Sequence, residues 1–251
     1  MAVLPDLLAP FALLDQIGSE SWRKGMSNLG LLPMRDRELL TETWRDTARV
    51  LAGRWEESLA RRAIFWVNLW QASESETKLE IARIAELDAW VLHTARTHYG
   101  ADIVLDGYGL IVNPVGSALQ AWHLDYTVDY STIFIPLTDL TPENALQYLD
   151  LGDDVPEGAY RLAVTDPDKV DLSPILQSGG TIGVRQLLAP SYSLLKLDFG
   201  VIHRGIANAG PSERVVFWIS VRRGGGSPPV EPLVQNFEAG RSSDAFVEES
   251  Q

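Results

Sequence analysis

Cysteine is absent, which excludes a disulfide framework, a zinc finger, an iron–sulfur cluster and a thiol nucleophile in one step. Any metal must then be held by His, Asp or Glu. Positive charge is scarce: 21 Lys and Arg stand against 34 Asp and Glu, a formal charge of −13. The basic residues are scattered rather than grouped, so a nucleic-acid surface, which neutralises phosphates with clustered cations, is not expected. No window approaches 18 uninterrupted apolar residues, so no membrane span is expected. The N-terminal run lacks a basic flank and carries Asp6 and Pro10 within its apolar stretch; it reads as mature protein rather than a secretory signal, and the default location is the cytoplasm. No internal repeat recurs, and no Gly-rich loop opens a helix to cradle phosphate. What is present is a chain of 251 residues, 45% of them hydrophobic, long enough to bury a substantial core in one domain.

Two textures divide it. Residues from about 35 to 99 read as helical, because Leu40, Trp44, Ala48, Leu51 and Trp55 are spaced by four, four, three and four and share one stripe. Ile84, Leu87, Val91 and His98 form a second stripe after a turn-like segment at Ala72 to Glu76. Trp44, Trp55, Trp66 and Trp70 are expected as core residues of this layer, which also offers a surface for a homodimer. From Gly100 onward short β-rich runs alternate with Gly, Pro, Asn and Asp: Ile103 to Val112, Ala118 to Tyr126, Thr132 to Leu137 and Arg214 to Val221. The expected class is α+β with a mainly β core, built as a sandwich, jelly roll or barrel. A single domain over 1–251 is expected, with a helical layer over about 1–99, a β core over about 100–223 and a mobile tail over about 224–251, where Gly224 to Pro229 reads as a linker.

The histidines number four: His93, His98, His123 and His203. His123 and Asp125 lie two apart in a strand-like run and so project to one face. His203, flanked by glycines at another strand end, supplies a second imidazole. Two histidines and one carboxylate leave three positions of an octahedral metal open, the arrangement a non-haem Fe(II) oxygenase needs for both a co-substrate and oxygen. His203 and Arg214 are equidistant from a point between Asn208 and Ala209, inside the turn-rich run Ala207 to Ser212, so a symmetric hairpin would make them cross-strand neighbours. A guanidinium held there could take a carboxylate bidentately. Along the same strand Arg214, Val216, Trp218, Ser220 and Arg222 alternate with Val215, Phe217, Ile219 and Val221; the first set is expected to line a pocket and the second to pack into a layer.

His123-Leu124-Asp125, the distal His203 followed by Arg204 and Gly205, Arg214 eleven residues on, and the Pro142-Glu143-Asn144 turn together resemble the Fe(II)/2-oxoglutarate-dependent oxygenases, most of all the phytanoyl-CoA dioxygenase branch. The resemblance spans roughly 103–222. It implies a double-stranded β-helix, or jelly roll, with Fe(II) on His123, Asp125 and His203 and 2-oxoglutarate anchored by Arg214. It further implies Asn113 and Gln120 as helpers of 2-oxoglutarate binding, although strand parity would turn Gln120 away from His123 unless a bulge intervenes. Ala145 stands where the family often has Gly, which sets the following loop apart. Halogenating relatives replace the carboxylate by a small residue, so Asp125 favours oxygenation.

The expected activity is therefore oxidation by O2 of an unactivated C–H bond in a small organic molecule, lipid-like or a natural-product intermediate, coupled to decarboxylation of 2-oxoglutarate to succinate. Trp218 and Arg222 are candidate substrate contacts, and Arg204, Arg222 and Arg223 could offset the net acidity toward an anionic substrate. His93 and His98 are expected only to pack, and Asp106, Asp129 and Asp139 to be turn or surface acids. Two other readings stand beside this one: a catalytically silent partner or binding subunit on the same fold, and a cupin-like metalloenzyme that does not use 2-oxoglutarate.

Overall fold

A computed structural model describes residues 25–70, 81–125, 129–166 and 168–223, with the backbone of a strand at 234–237. Among these, helices α1 (Met34–Val50), α2 (Ala52–Arg61) and α3 (Ile84–Tyr99) form the helical layer. The buried face of α1 is Leu39, Leu40, Thr43 and Thr47, one position round from the expected stripe, with Trp44 only partly buried. Two threonines are tolerated on that face because their hydroxyls donate back to Leu39 O at 2.9 Å and Thr43 O at 2.7 Å. In α3 the buried set Leu87, Val91, Thr94 and Ala95 continues the expected stripe, and Gly100 at φ +94° ends the helix.

The helical stretch is interrupted. Ile64-Phe65-Trp66-Val67, expected as helix, is part of strand β2 (Ile64–Asn68). Four consecutive apolar residues carry no period that separates a buried strand from a helix, and their β-branched and aromatic character decides for the strand once a sheet is there to receive it. A large antiparallel sheet runs in the order β1 (Met26–Leu31), β7 (Ser193–Leu197), β4 (Tyr130–Pro136), β9 (Arg214–Arg223), β3 (Ile103–Asn113), β2, β10 (Val234–Phe237). Thus 234–237, expected within a mobile tail, pairs with β2; the rest of 224–251, and the turn expected at Ala72 to Glu76, lie outside the described residues.

A second sheet holds β6 (Ile182–Leu187), β5 (Leu146–Leu151) and β8 (His203–Gly205). Of the run Ala118 to Tyr126, expected as a strand, the described residues 118–125 do not form a regular one. It tracks β8 through Gln120 N to Gly205 O at 3.0 Å and the reciprocal His123–His203 pair at 3.1 and 3.0 Å. The two sheets face each other across an interior containing Phe134, Leu146, Leu195, Val201, Val216 and Trp218. Helices α1 to α3 cover the outer face of the large sheet through Leu39, Leu87, Val91, Phe65, Val67 and Phe217. Helices α4 (Glu157–Ala163) and α5 (Ser173–Gln177) cover the outer face of the small one.

The expected hairpin between His203 and Arg214 does not form. β8 belongs to the small sheet and β9 to the large one, because the intervening residues cross from one sheet to the other; the cross-strand partner of Arg214 is Asn113. The expected alternation along β9 holds: Val216 and Trp218 enter the inter-sheet interior, whereas Val215, Phe217, Ile219 and Val221 join the helical layer.

Candidate metal centre

His123, Asp125 and His203 come together at one end of the interior, with a potential ligand atom from each lying within 4.8 Å of the others. His203 sits at the start of β8 and His123 on the segment bridged to it, so one backbone pair fixes both imidazoles, whose centroids are 4.5 Å apart. Each ring is oriented by the same local contact: Nδ1 of His123 donates to Ala121 O at 2.8 Å, and Nδ1 of His203 to Val201 O at 3.0 Å. Both carbonyls lie two residues upstream, and both leave Nε2 as the inward-facing nitrogen. Asp125 Oδ1 stands 3.5 Å from His203 Nε2, while its other oxygen accepts the hydroxyl of Thr132 on β4. The Phe134 ring packs on His203, centroids 5.6 Å apart.

Burial, followed by repulsion from His203, pushes the His123 imidazole down to about 4. Burial opposes the charge of Asp125, yet attraction and hydrogen bonding from His203, with help from His123 and Thr132, outweigh it and hold the carboxyl at about 2. For His203 burial is likewise outweighed, here by Asp125, and its pKa is raised. Burial thus favours the neutral form of His123, while Asp125 and His203 each favour the other's charge. A divalent cation held by the two imidazoles would answer the same carboxylate. Metal–ligand bonds of about 2 Å put adjacent donors about 3 Å apart, close to the His203–Asp125 separation, so the donor set fits an octahedral ion with one face left open.

From the facing sheet, Arg214, only 1% exposed, extends beneath β8. Its Nη1 donates to the carbonyls of Asn144, Ala145 and Ile206 at 2.9, 2.9 and 3.0 Å, and its Nε to Asn113 Oδ1 at 3.3 Å. The Pro142-Glu143-Asn144 turn noted in the sequence is therefore a cradle for the guanidinium. Nη2 alone makes no protein hydrogen bond among the described residues, so the bidentate fork expected of Arg214 is reduced to one free nitrogen. That nitrogen points at Gly205, where a Cβ would stand 2.3 Å from Nη2 and 2.4 Å from Gln120 Oε1. Gln120, doubtful on parity, is brought here because 118–122 is irregular, and its amide oxygen accepts Gly205 N at 2.6 Å. Asn113 Nδ2 is buried without a partner. The three residues expected around 2-oxoglutarate thus form one cluster, and two residues of β8, about 7 Å of strand, separate Gly205 from His203.

No family model matches the sequence, and no curated protein matches it. Solved structures do share its fold. The carbocyclase SnoK from nogalamycin biosynthesis, a non-haem alpha-ketoglutarate-dependent protein, has a TM-score of 0.56 at 13% identity over 88% of this chain and 97% of that one. The epimerase SnoN from the same biosynthesis gives 0.55 at 14%, covering 90% and 96%. AviO1 from Streptomyces viridochromogenes Tue57 gives 0.55 at 18%, covering 92% and 100%. The chain shares its fold with non-haem alpha-ketoglutarate-dependent proteins.

Within this fold the remaining candidates separate. Trp218 stacks on Trp66, centroids 5.3 Å apart and planes 13° apart, inside the sandwich. Arg222, expected as a substrate contact, is buried and donates from Nε to Asp106 Oδ1 at 3.1 Å. Asp106 is thereby a buried ion-pair partner rather than a surface acid: the bulge at Leu105/Gly107 in β3 turns it inward. Arg204 lies over the Trp122 ring at 4.1 Å and Arg223 over Phe199 at 4.0 Å. His93 is exposed on α3 and His98 half-buried, remote from the triad in sequence and element. Thr132 and Phe134 are the site residues that sequence reasoning missed; their place two apart on an inward strand face was the available signal. A recess bounded by Leu124, Asp125, Tyr130, Leu197, Asp198, Gly200 and Val201 opens beside the carboxylate.

Proposed function

We propose that this chain is an Fe(II)- and 2-oxoglutarate-dependent dioxygenase that oxidises a C–H bond of a small organic molecule. The observation that carries the reading is the convergence of His123, Asp125 and His203, both imidazoles already turned by backbone carbonyls, with the Nη2 of a buried arginine approaching from the opposite sheet. His123, Asp125 and His203 would hold the iron, and Arg214, Gln120 and Asn113 would meet 2-oxoglutarate. The bound iron with O2 and 2-oxoglutarate supplies the oxidant, 2-oxoglutarate leaving as succinate and carbon dioxide.

The protein's own contribution is orientation and exclusion of water. Thr132 holds one carboxylate oxygen so that the other faces the imidazoles. Phe134 closes the space behind His203. Arg214 presents a positive charge whose Nη1 is committed to backbone carbonyls and whose Nε is committed to Asn113 Oδ1, which fixes the position of Nη2 for a distal carboxylate. The two facing sheets are read as a jelly roll of the phytanoyl-CoA dioxygenase type, acting in the cytoplasm. Because SnoK is a carbocyclase and SnoN an epimerase, ring closure and inversion stand beside hydroxylation as outcomes of the same step. An apolar interior of Phe134, Trp66 and Trp218 suits a lipid-like or polycyclic substrate.

The test is an anaerobic titration of 2-oxoglutarate into Fe(II)-loaded protein, following the visible charge-transfer band of the chelate. A band that His203→Ala abolishes, with 2-oxoglutarate affinity lowered in Arg214→Ala, is the expected result. Iron bound without a band would favour the cupin-like reading, and failure to bind iron the silent-subunit reading.

A further inference from the structure

Three cross-strand pairs between β4 and β9 face the inter-sheet interior: Tyr130 opposite Arg222, Thr132 opposite Ser220, and Phe134 opposite Trp218. Two members of this ladder already serve the triad, Thr132 by bonding Asp125 and Phe134 by packing on His203. Their partners, Ser220 and Trp218, are 2% and 3% exposed. Ser220 Oγ and Trp218 Nε1 are both buried and without a hydrogen-bond partner. Buried polar groups are normally satisfied, and here two unsatisfied donors lie two residues apart on one strand face, each directly opposite a residue in contact with the metal ligands.

The surrounding packing keeps both donors in place. Trp66 stacks on Trp218, and Gly107 makes room for the far edge of its six-membered ring, since a Cβ there would lie 3.1 Å from Cη2. The indole plane is therefore fixed before anything binds. Ser220 is bordered by Gly107 on β3 and Thr132 on β4. The hydroxyl of Thr132 is spent on Asp125, and Gly107 has no side chain to offer. Along the same face Arg222 is engaged by Asp106 and Thr132 by Asp125, and the neighbouring side chains of the interior cluster are apolar, so these two unengaged donors could fix the orientation of a molecule beside the triad.

We propose that Trp218 Nε1 and Ser220 Oγ form a subsite for an oxygen atom of the substrate, a hydroxyl, ether or carbonyl oxygen, which sets the position of the carbon presented to the metal. The inference rests on reading the triad as an iron oxygenase site. It makes the substrate an oxygen-bearing, otherwise apolar molecule rather than a hydrocarbon.

The test uses protein loaded with Zn(II), which is redox-silent, and 2-oxoglutarate, with the indole N–H signals of the eight tryptophans resolved by 1H–15N NMR and that of Trp218 assigned by its loss in Trp218→Phe. Without added ligand the Trp218 proton is expected upfield, as a donor without an acceptor. Cyclohexanone should move it downfield, methylcyclohexane should not, and Ser220→Ala should weaken the cyclohexanone affinity at least fivefold. The same substitution removes an unsatisfied group, so the unfolding midpoint of Ser220→Ala should equal or exceed that of the wild type. A Trp218 signal already downfield and protected, an equal response to both probes, or a lowered midpoint in Ser220→Ala with unchanged probe affinity would each overturn the subsite. A missing charge-transfer band in the Fe(II) titration would instead remove the oxygenase reading itself, so the two failures are distinguishable.

Discussion

Arg214 is a structural residue at the same position where the proposed function places its 2-oxoglutarate contact. Its charge is buried, which pushes the guanidinium down to about 10, and three backbone carbonyls compensate through Nη1. Arg214→Ala therefore leaves those carbonyls without their charged donor and should lower stability by about 2–3 kcal/mol in urea unfolding, besides weakening 2-oxoglutarate. A cleaner probe is Gly205→Ala, whose added methyl would meet Nη2 and the Gln120 oxygen. It should raise the 2-oxoglutarate dissociation constant at least about tenfold, roughly 1.4 kcal/mol, with iron affinity kept within about threefold; equal loss of both would contradict the separation of the two subsites. The triad itself predicts a pH response of the metal-free protein. His123 is protonated at the ordinary 6.5 when unfolded but at about 4 when folded, so the unfolded state takes up the extra proton and stability falls as pH drops from 6.5 through 4, by at most on the order of 3 kcal/mol. Asp125, lowered to about 2, adds a further loss from the normal carboxylate range down through 2. His203, with a raised pKa, works in the opposite sense: its contribution is full below 6.5 and is lost as pH rises through its folded value. Urea midpoints measured from pH 8 to 3 should show the His123 loss flattened in His123→Gln.

Strand β2 is the element whose identity depends most on its neighbours. It lies between β3 and β10, with Phe65 and Val67 in the helical layer and Trp66 in the sandwich. Its close approach to β3 is possible because Gly109 has no side chain: a Cβ there would come 1.8 Å from Val67 O. Gly109→Ala should thus separate β2 from β3, costing at least about 2 kcal/mol. Hydrogen exchange should rise at 64–68 while β4 and β7 stay protected, and unchanged protection at 64–68 would refute the packing argument. The histidine-bearing elements illustrate a different dependence. β8 is three residues long and the His123 segment is held to it by a single bridge and its neighbouring hydrogen bonds, so metal geometry rests on short elements that the covering helices α4 and α5 keep in place.

At the scale of the whole molecule, the helical layer meets the site through the large sheet and through Tyr99, which packs on Phe199 in the segment leading to His203. Leu87 on α3 is fully buried against that sheet, and Leu87→Ala should cost about 2–5 kcal/mol. Far-UV circular dichroism and tryptophan fluorescence should report one shared transition, shifted to lower temperature, while folded protein retains its iron and 2-oxoglutarate affinity. Two separated transitions would mean that 1–99 and the β core fold independently. Addition of metal and 2-oxoglutarate should raise the midpoint, as for any ligand that binds only the native state.

Residue identities and local periodicity were enough to read the mixture of helix and sheet, the inward face of β9 and the stripe of α3, because side-chain direction in a regular element follows from spacing of two or about 3.6; the His123, Asp125, His203 and Arg214 set came instead from residue type and family resemblance, its three candidate metal ligands lying on irregular or short elements. The sequence alone could not show that Ile64–Asn68 joins the sheet, that Asp106 turns inward to Arg222, or that Gln120 reaches Gly205, since a short apolar run, a bulge and an irregular segment have no period of their own. Nor could it place His203 and Arg214 on opposite sheets. Symmetry about a turn is equally compatible with a hairpin and with a crossing between layers, and only the pairing of β9 with β3 and β4, and of β8 with β5, decides between them. The sequence by itself thus determined which chemical groups are available and which face of each regular element carries them; the tertiary structure decided which groups meet, because their meeting depends on pairings between strands far apart in the chain.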